Sequence, residues 1–350
     1  MRRSIDLLDA RARRLLRSLI AQYIKDGEPV GSRTLARTAG LDVSAATIRN
    51  VLQDLEEIGL VRQPHSSSGR VPTASGYRLF VDSLLELKPM GDADLAQMQR
   101  DIPHGAGTQE VLTRVSSVLS QLTHFVGLVT VPHREQFAFR QIDFVLIAPN
   151  RVLVILVFTD NEVQNRVLEL PRSFSASELE EIANYLNHNF SGVALDEIRH
   201  RLVGELEQAR DSIDRLMRAT IEIADASFAP QPRADMLVSG QTNLMGAQGL
   251  GDVDRLRELF EAFHRKREIV RLLEGCIHAD GVRLFIGEES GIAPLGPCSV
   301  VTAPYGTENR TLGVIGVIGP TRMDYDRVIP VVQATARILS ATLKSAGLGP

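Results

Sequence analysis

The sequence predicts an α+β multidomain protein: a small helical unit with a hairpin, then a sheet domain interrupted by a mostly helical insert. Three observations predict it. A capped amphipathic helix beginning at Ser44 is followed by a short basic hairpin. Apolar strand-like runs separated by turn residues recur from Phe125 to Leu170 and again from Val282 to Ile318. Between those two sets, residues 173–275 carry helical periodicity. A chain of 350 residues has the length for two or three domains, and 44% hydrophobic content is that of a globular protein rather than a disordered one.

The N-terminal elements follow in order. Leu7 to Ile24 is a long amphipathic segment, ended at Gly27 and Pro29. Gly31-Ser32 caps a second, short helix to about Thr38, and Gly40 makes the turn into the third. Ser44 caps that third helix, since its hydroxyl can satisfy an amide of the first turn. Ile48, Val51, Leu52 and Leu55 recur at helical spacing as one buried stripe, and Gly59 ends the helix. Leu60 to Gln63 and Arg70 to Val71 are strand-like, joined by a polar loop with His65, three serines and Gly69. A capped helix alone would suit any small α+β core. Three helices, a tight turn into the third and a hairpin after it make a complete winged helix-turn-helix.

That reading points to double-stranded DNA as the partner and names a reading head. The outward side of the Ser44 to Ile58 helix carries Ala46, Asn50, Gln53 and Glu57, with Thr47 and Arg49 on its flanks. Asn50 or Gln53 can pair bidentately with adenine, and Arg49 can take guanine or phosphate. The alternative for these residues is local: Asn50 bonding within the helical turn, Arg49 pairing with Asp42 or Asp54. Ser32 and Thr34 open the preceding helix, where hydroxyls and amides suit phosphate. His65, Ser67 and Arg70 are the wing's candidates for a flanking phosphate or the minor groove. The candidate DNA-binding set is therefore Ser32, Thr34, Thr47, Arg49, Asn50, Gln53, His65, Ser67 and Arg70.

Farther along, Ser75 to Leu87 reads as a helix with a broad apolar surface, either packed on the winged domain and meeting a neighbour or simply closing that domain. Residues 89–107 read as a linker with one short helical turn. A second domain begins near Thr108 with an amphipathic helix. Strands follow at Phe125 to Val131, Arg140 to Ile147, Arg151 to Phe158 and Val163 to Leu170. More come at Val282 to Ile286, Ser299 to Ala303 and Thr311 to Ile318, with Tyr325 to Ala346 as a closing helix. Within the insert, Ser177 and Glu180 resemble a capping box before a helix to about Asn189. A long helix from Asp196 to Phe228 sets Leu202, Leu206, Ala209, Ile213, Leu216, Thr220 and Ile223 at alternating four and three spacing. The seam reads as either a core stripe or a dimer contact. Val253 to Cys276 is a further helical stretch.

Charge and composition narrow the classes. Residues 1–90 hold 14 Lys+Arg against 10 Asp+Glu, while the remaining 260 hold 25 against 33, so positive charge is biased to the proposed DNA-binding end. The longest apolar run, Val152 to Phe158, is too short to span a bilayer. Cys276 and Cys298 make neither metal-ligand spacing nor a disulfide framework, so no metal and a reduced cytoplasm are expected. Gly313, Gly316 and Gly319 form GxxGxxG without the Lys-Ser/Thr of a P-loop, and read as close packing within a strand pair. Glu288-Glu289 reads as a solvated strand end. No catalytic constellation stands out, and no enzyme activity or cofactor is expected.

Several stretches carry a family resemblance. EPVGSRTLA (Glu28 to Ala36), SAATIRNVLQDLEEIGL (Ser44 to Leu60) and PHSSSGRVPTASGYRLFVD (Pro64 to Asp82) resemble the HrcA family of heat-inducible transcription repressors. FIGEES (Phe285 to Ser290) and GVIGPTRMDYDRVIPVV (Gly316 to Val332) resemble the same family's C-terminal signatures, so the match covers the whole chain. Ser66-Ser67-Ser68 departs from the family's more usual Thr-Ser-Ala. The resemblance implies a GAF-like sheet domain interrupted by an inserted dimerising domain. The expected limits are 1–88 for the winged domain, 89–107 for the linker, 108–172 and 276–350 for the GAF-like domain, and 173–275 for the insert. It further implies a homodimer on an inverted-repeat operator of the CIRCE type ahead of chaperone operons, kept competent by the GroEL chaperonin. The GAF-like domain shows no convergent charged or aromatic set, so a structural role without ligand is expected there. The alternatives are a winged-helix regulator gated by a small ligand in that domain, or an enzyme with an accessory DNA-binding domain.

Overall fold

The computed structural model describes residues 8–345 apart from 41–42, 67, 88, 104–106, 133–136, 161, 171, 199, 202–219, 221–222, 225–226, 228–235, 246–252 and 308–309. Its first helix, α1 (Ala10–Asp26), is capped by Asp9, whose Oδ1 accepts from the Ala12 amide at 2.6 Å, and ends on Gly27 at φ 78°. Then come α2 (Ser32–Thr38) and α3 (Ala45–Glu57). Leu15, Leu16, Leu19, Leu35, Ile48 and Leu55 are wholly buried, and this apolar stripe packs the three helices on one another. Strands β1 (Val61–Arg62) and β2 (Val71–Pro72) pair antiparallel as the wing. Helix α4 (Ala74–Leu79) runs into a π turn at Phe80–Leu84, three residues short of the expected Leu87.

The stretch expected as a linker holds a ten-residue helix, α5 (Asp92–Asp101). Its Met98 and the following Ile102 are buried, and the Thr335 hydroxyl donates to the Met98 sulfur at 3.3 Å. An apolar spacing of Leu95, Met98 and Ile102 makes a narrow stripe that is weak in sequence and sufficient once packed.

The strands do not form one sheet. Antiparallel β3 (Val126–Thr130), β7 (Met236–Ser239), β8 (Arg283–Ile286), β9 (Cys298–Thr307) and β10 (Arg310–Pro320) make a five-stranded sheet in the order β7-β3-β10-β9-β8. Helices α6 (Thr108–Thr123) and α10 (Tyr325–Ser345) cover one face. Helices α8 (Val253–Arg265) and α9 (Arg267–Glu274) cover the other, burying Leu259, Phe263, Ile269 and Leu273 on Val126, Leu128, Val300 and Val314. Val253 to Cys276 is thus two helices, broken at Lys266 with φ 52°. The glycines of the GxxGxxG run sit in β10, where a Cβ on Gly316 would lie 2.9 Å from the Val301 carbonyl oxygen.

Strands β4 (Phe139–Ala148), β5 (Arg151–Phe158) and β6 (Val163–Glu169) make a separate three-stranded sheet packed on α7 (Ala176–Phe190). The capping box of α7 is Ser175 with Glu178, two residues upstream of the expected Ser177 and Glu180. Leu202, Leu206, Ala209, Ile213 and Leu216 of the heptad-like seam lie outside the described residues, whereas Thr220 and Ile223 are buried.

Candidate DNA interface

The candidate reading helix, α3, is framed before its outward side is exposed. Ser44 Oγ accepts from the Thr47 amide at 3.1 Å and meets Thr47 Oγ1 at 3.0 Å, so both hydroxyls belong to the N-terminus of α3. Ile48, Leu52 and Leu55 fix the helix on α1 and α2. The outward side then presents Arg49, Asn50 and Gln53, all exposed. Among the described residues, neither Arg49 nor Asn50 has a hydrogen-bond or ion-pair partner; of the two local partners considered for Arg49, Asp54 is not paired with it and Asp42 lies outside the described residues. Gln53 makes only a long contact, donating to Glu57 Oε1 at 3.4 Å. Two unpartnered polar groups, with Gln53 held only by a 3.4 Å contact beside them, on one side of a capped helix suit base-edge recognition.

The wing is tied to the far end of this helix by one carboxylate. Glu56 Oε1 accepts from the Gln63 amide at 2.8 Å, and Glu56 Oε2 pairs with Arg70 Nη2 at 2.8 Å. Gln63 donates to the Ser66 and Ser68 carbonyls at 2.9 and 3.0 Å, knotting the loop. Ser68 Oγ donates to the His65 carbonyl at 2.8 Å and accepts from the His65 amide at 3.0 Å. The root of the wing meets the chain before α2, with Val30 and Arg70 exchanging amide-to-carbonyl bonds of 2.9 Å each. Gly69 permits this approach, since a Cβ there would lie 2.4 Å from the Val30 carbonyl carbon.

The structure therefore distributes the expected residues unevenly. Arg49, Asn50 and Gln53 share the outward side of α3. Ser32 and Thr34 are half-buried at the start of α2, and the Thr34 carbonyl accepts from Thr38 Oγ1 at 3.1 Å. His65 stands exposed on the wing, and Ser67 lies outside the described residues. Arg70 turns inward: its side chain is 16% exposed and held by Glu56, which makes it a wing anchor rather than a solvent-facing cation.

A groove of about 520 Å³ runs between α2, α3 and the wing, lined by Ser32, Arg33, Arg49, Gln63, Ser66 and Arg70 among others. Arg33, between Ser32 and Thr34, is not in the expected set. It is exposed beside the groove, and Arg37 and Arg62 are exposed too, adding positive charge to this end of the molecule. No group of His, Cys, Asp and Glu able to hold a metal occurs among the described residues, and no described helix is long and apolar enough to cross a membrane.

Comparison with known proteins bears on the same residues. Residues 7–84 match a family model described as winged helix-turn-helix transcription repressor, HrcA DNA-binding, and residues 109–329 match the HrcA protein C terminal domain. The heat-inducible transcription repressor HrcA of Xanthomonas axonopodis pv. citri (strain 306) is 56% identical over 341 residues, covering 97% of each chain. The protein of the same name from Xylella fastidiosa (strain M12) is 52% identical over 337 residues, covering 96% of each. A crystal structure described as a hypothetical protein at 2.2 Å resolution superposes with a TM-score of 0.66 at 23% identity, over 97% of this chain and 99% of that one, which shows a shared fold. With both halves matched and relatives aligned nearly end to end, the chain belongs to the HrcA family of heat-inducible transcription repressors.

Proposed function

We propose that this protein is a cytoplasmic transcriptional repressor of chaperone operons. It binds an inverted-repeat operator of the CIRCE type as a homodimer, with α3 reading each half-site. Arg49, Asn50 and Gln53 take base edges or the nearest phosphates. Thr47, Ser32, Thr34 and Arg33 serve the phosphate backbone beside them, and His65 and Ser67 the flanking groove. Arg70 acts on DNA indirectly, by holding the wing through Glu56. The observation that carries the reading is the exposed Arg49-Asn50-Gln53 set on a framed helix, with Arg49 and Asn50 unpartnered among the described residues.

The remaining domains set dimer geometry in this reading. A GAF-like domain in two segments carries the winged domain, and an inserted domain dimerises. In this reading the insert takes in β4 to β6, which pack on α7, and leaves to the sheet domain β7, which joins the five-stranded sheet, and α8 and α9, which pack on it. Activity depends on the GroEL chaperonin and is lost on heat stress. A chain whose sheet partners β3 and β10 are separated by a whole insert forms non-local contacts slowly and exposes apolar surface while doing so, which is the behaviour of a chaperonin client.

The test is binding of purified protein to chaperone promoter fragments after refolding with and without the chaperonin. Specific retention of those fragments, enhanced by the chaperonin, is the expected result. Equal binding to unrelated promoters overturns the repressor assignment, and equal recovery without the chaperonin overturns the regulation.

A further inference from the structure

The two C-terminal stretches that carried the family resemblance do not lie in the DNA interface, yet both touch the winged domain. Phe285 to Ser290 spans the end of β8 and a 3-10 turn at Gly287–Ser290. Glu289 of that turn grips Arg78 of α4: Oε1 accepts from Arg78 Nε at 3.0 Å, and Oε2 is paired with Arg78 Nη2. The same Nη2 donates to the Leu284 carbonyl at 2.7 Å, while Nη1 reaches Asp82 Oδ1 of its own helical segment at 3.5 Å. Glu289 is itself aimed by the Ile286 amide, which donates to Oε2 at 2.8 Å. Gly287, at φ 62°, sits in this turn beside α4, where a Cβ would meet Ala74 Cβ at an ordinary 3.8 Å.

The stretch Gly316 to Val332 supplies two more contacts. Arg322 Nη1 donates to the Ile24 and Tyr23 carbonyls at 3.1 and 3.3 Å, at the C-terminal end of α1 where a cation is favoured. Tyr325 is held by the core, donating to the Thr321 carbonyl at 2.7 Å and accepting from Ser299 Oγ at 2.8 Å. Its ring lies 6.0 Å from that of Tyr77 at 56°. A two-pronged arginine on a carboxylate fixes direction as well as distance. Together with the contact at α1, it ties the winged domain to the sheet domain at two separate places.

We propose that Arg78 is a positioning residue for operator recognition. Clasped by Glu289 and the Leu284 carbonyl, it sets the angle at which each α3 is presented and hence the half-site separation the dimer accepts. The proposal rests on the dimeric, inverted-repeat reading above. Two heads held at fixed geometry gain from an effective concentration that a loosened joint dilutes, while one head on one half-site gains nothing from it.

The experiment compares the full-length protein with its Arg78→Ala and Arg78→Lys variants on three duplexes: the inverted repeat at native spacing, the same repeat with two base pairs inserted between half-sites, and a single half-site. Arg78→Ala is expected to bind the single half-site like the parent, to bind native spacing roughly tenfold more weakly, and to lose most of the parent's penalty for the inserted base pairs. Arg78→Lys, which keeps the charge without the fork, is expected to fall between. Unchanged native-spacing affinity with an unchanged insertion penalty overturns the proposal, and so does equal weakening on the single half-site, which marks a merely structural residue. If the parent does not prefer the inverted repeat over scrambled DNA, the functional reading has failed, and a DNA-free measurement decides on the joint. Nitroxide labels on Arg37→Cys and Glu258→Cys, diluted with unlabelled chain, give a narrow distance distribution that broadens in Arg78→Ala if the joint is as described. An unbroadened distribution overturns it.

Discussion

Gly69→Ala tests how the wing is held. The added Cβ would sit 2.4, 2.5 and 2.7 Å from the Val30 carbonyl carbon, the Val30 oxygen and the Pro29 carbonyl carbon. All three are backbone atoms, so no side-chain rotation relieves the contact. Reaching ordinary carbon separation, about 3.5 Å, requires the wing root to move by about 1 Å. Such a shift breaks the two 2.9 Å bonds between Val30 and Arg70. At about 0.5–1.5 kcal/mol each, those bonds account for about 1–3 kcal/mol, with about 1–3 kcal/mol more from the overpacking itself. Local hydrogen exchange is the suitable assay, because opening of the wing need not unfold the sheet domain. The expected result is faster exchange at the Val30 and Arg70 amides and weaker binding to all DNA. Gly275→Ala is the control, since its Cβ would meet only ordinary contacts of 3.4 and 3.6 Å. If Gly69→Ala exchanges and binds like the Gly275→Ala control, the wing is not positioned by this approach.

Three further outcomes follow from the same geometry. Ser44→Ala removes the Thr47 amide's 3.1 Å acceptor and should cost about 1 kcal/mol in urea unfolding, largely restored by Ser44→Asp; an unchanged midpoint would show that the cap is idle. Glu56→Ala and Arg70→Ala should weaken DNA binding to similar extents without altering its salt dependence, because Arg70 is spent on Glu56; a salt slope lowered by about one for Arg70→Ala would make it a phosphate contact instead. Partial burial pushes the Glu289 carboxyl up, but its bonds from Arg78 and the Ile286 amide outweigh this and hold it below its ordinary 4.5. A carboxyl depressed on folding stabilises fully above its unfolded value, and that contribution fades as pH falls through the lower folded value. Thermal stability should therefore fall on acidification below about 4.5 and do so less steeply in Glu289→Gln; parallel acid limbs would contradict the pairing.

The winged domain was legible because its signals are local. Gly27, Ser44 and Gly59 punctuate helices whose apolar stripes are unambiguous, and the wheel of α3 separates Ile48, Leu52 and Leu55 from Arg49, Asn50 and Gln53 without reference to the rest of the chain. What the sequence withheld is pairing at a distance. Strand spans β3 to β6 were readable, but nothing in their alternation says that β4 to β6 leave β3, or that β7, four residues within a stretch of helical periodicity, completes the other sheet. Arg70 looked like a free wing cation because Glu56 lies fourteen residues upstream on another element. Glu289 looked like a solvated strand end because Arg78 is 211 residues away. Both pairings lie beyond the sequence for the same reason: a charged side chain's partner is a property of the fold.

The claim that α3 is the reading head is tested most directly by the Asn50→Ala/Gln53→Ala double variant, titrated against operator and scrambled duplexes over a salt series. Lost base contacts should cost about 1–3 kcal/mol each on the operator alone. The expected result is a variant that folds, keeps the parent's affinity and salt slope on scrambled DNA, and binds the operator little better than scrambled sequence. A folded variant that retains the parent's preference for the operator would show that another surface reads the DNA.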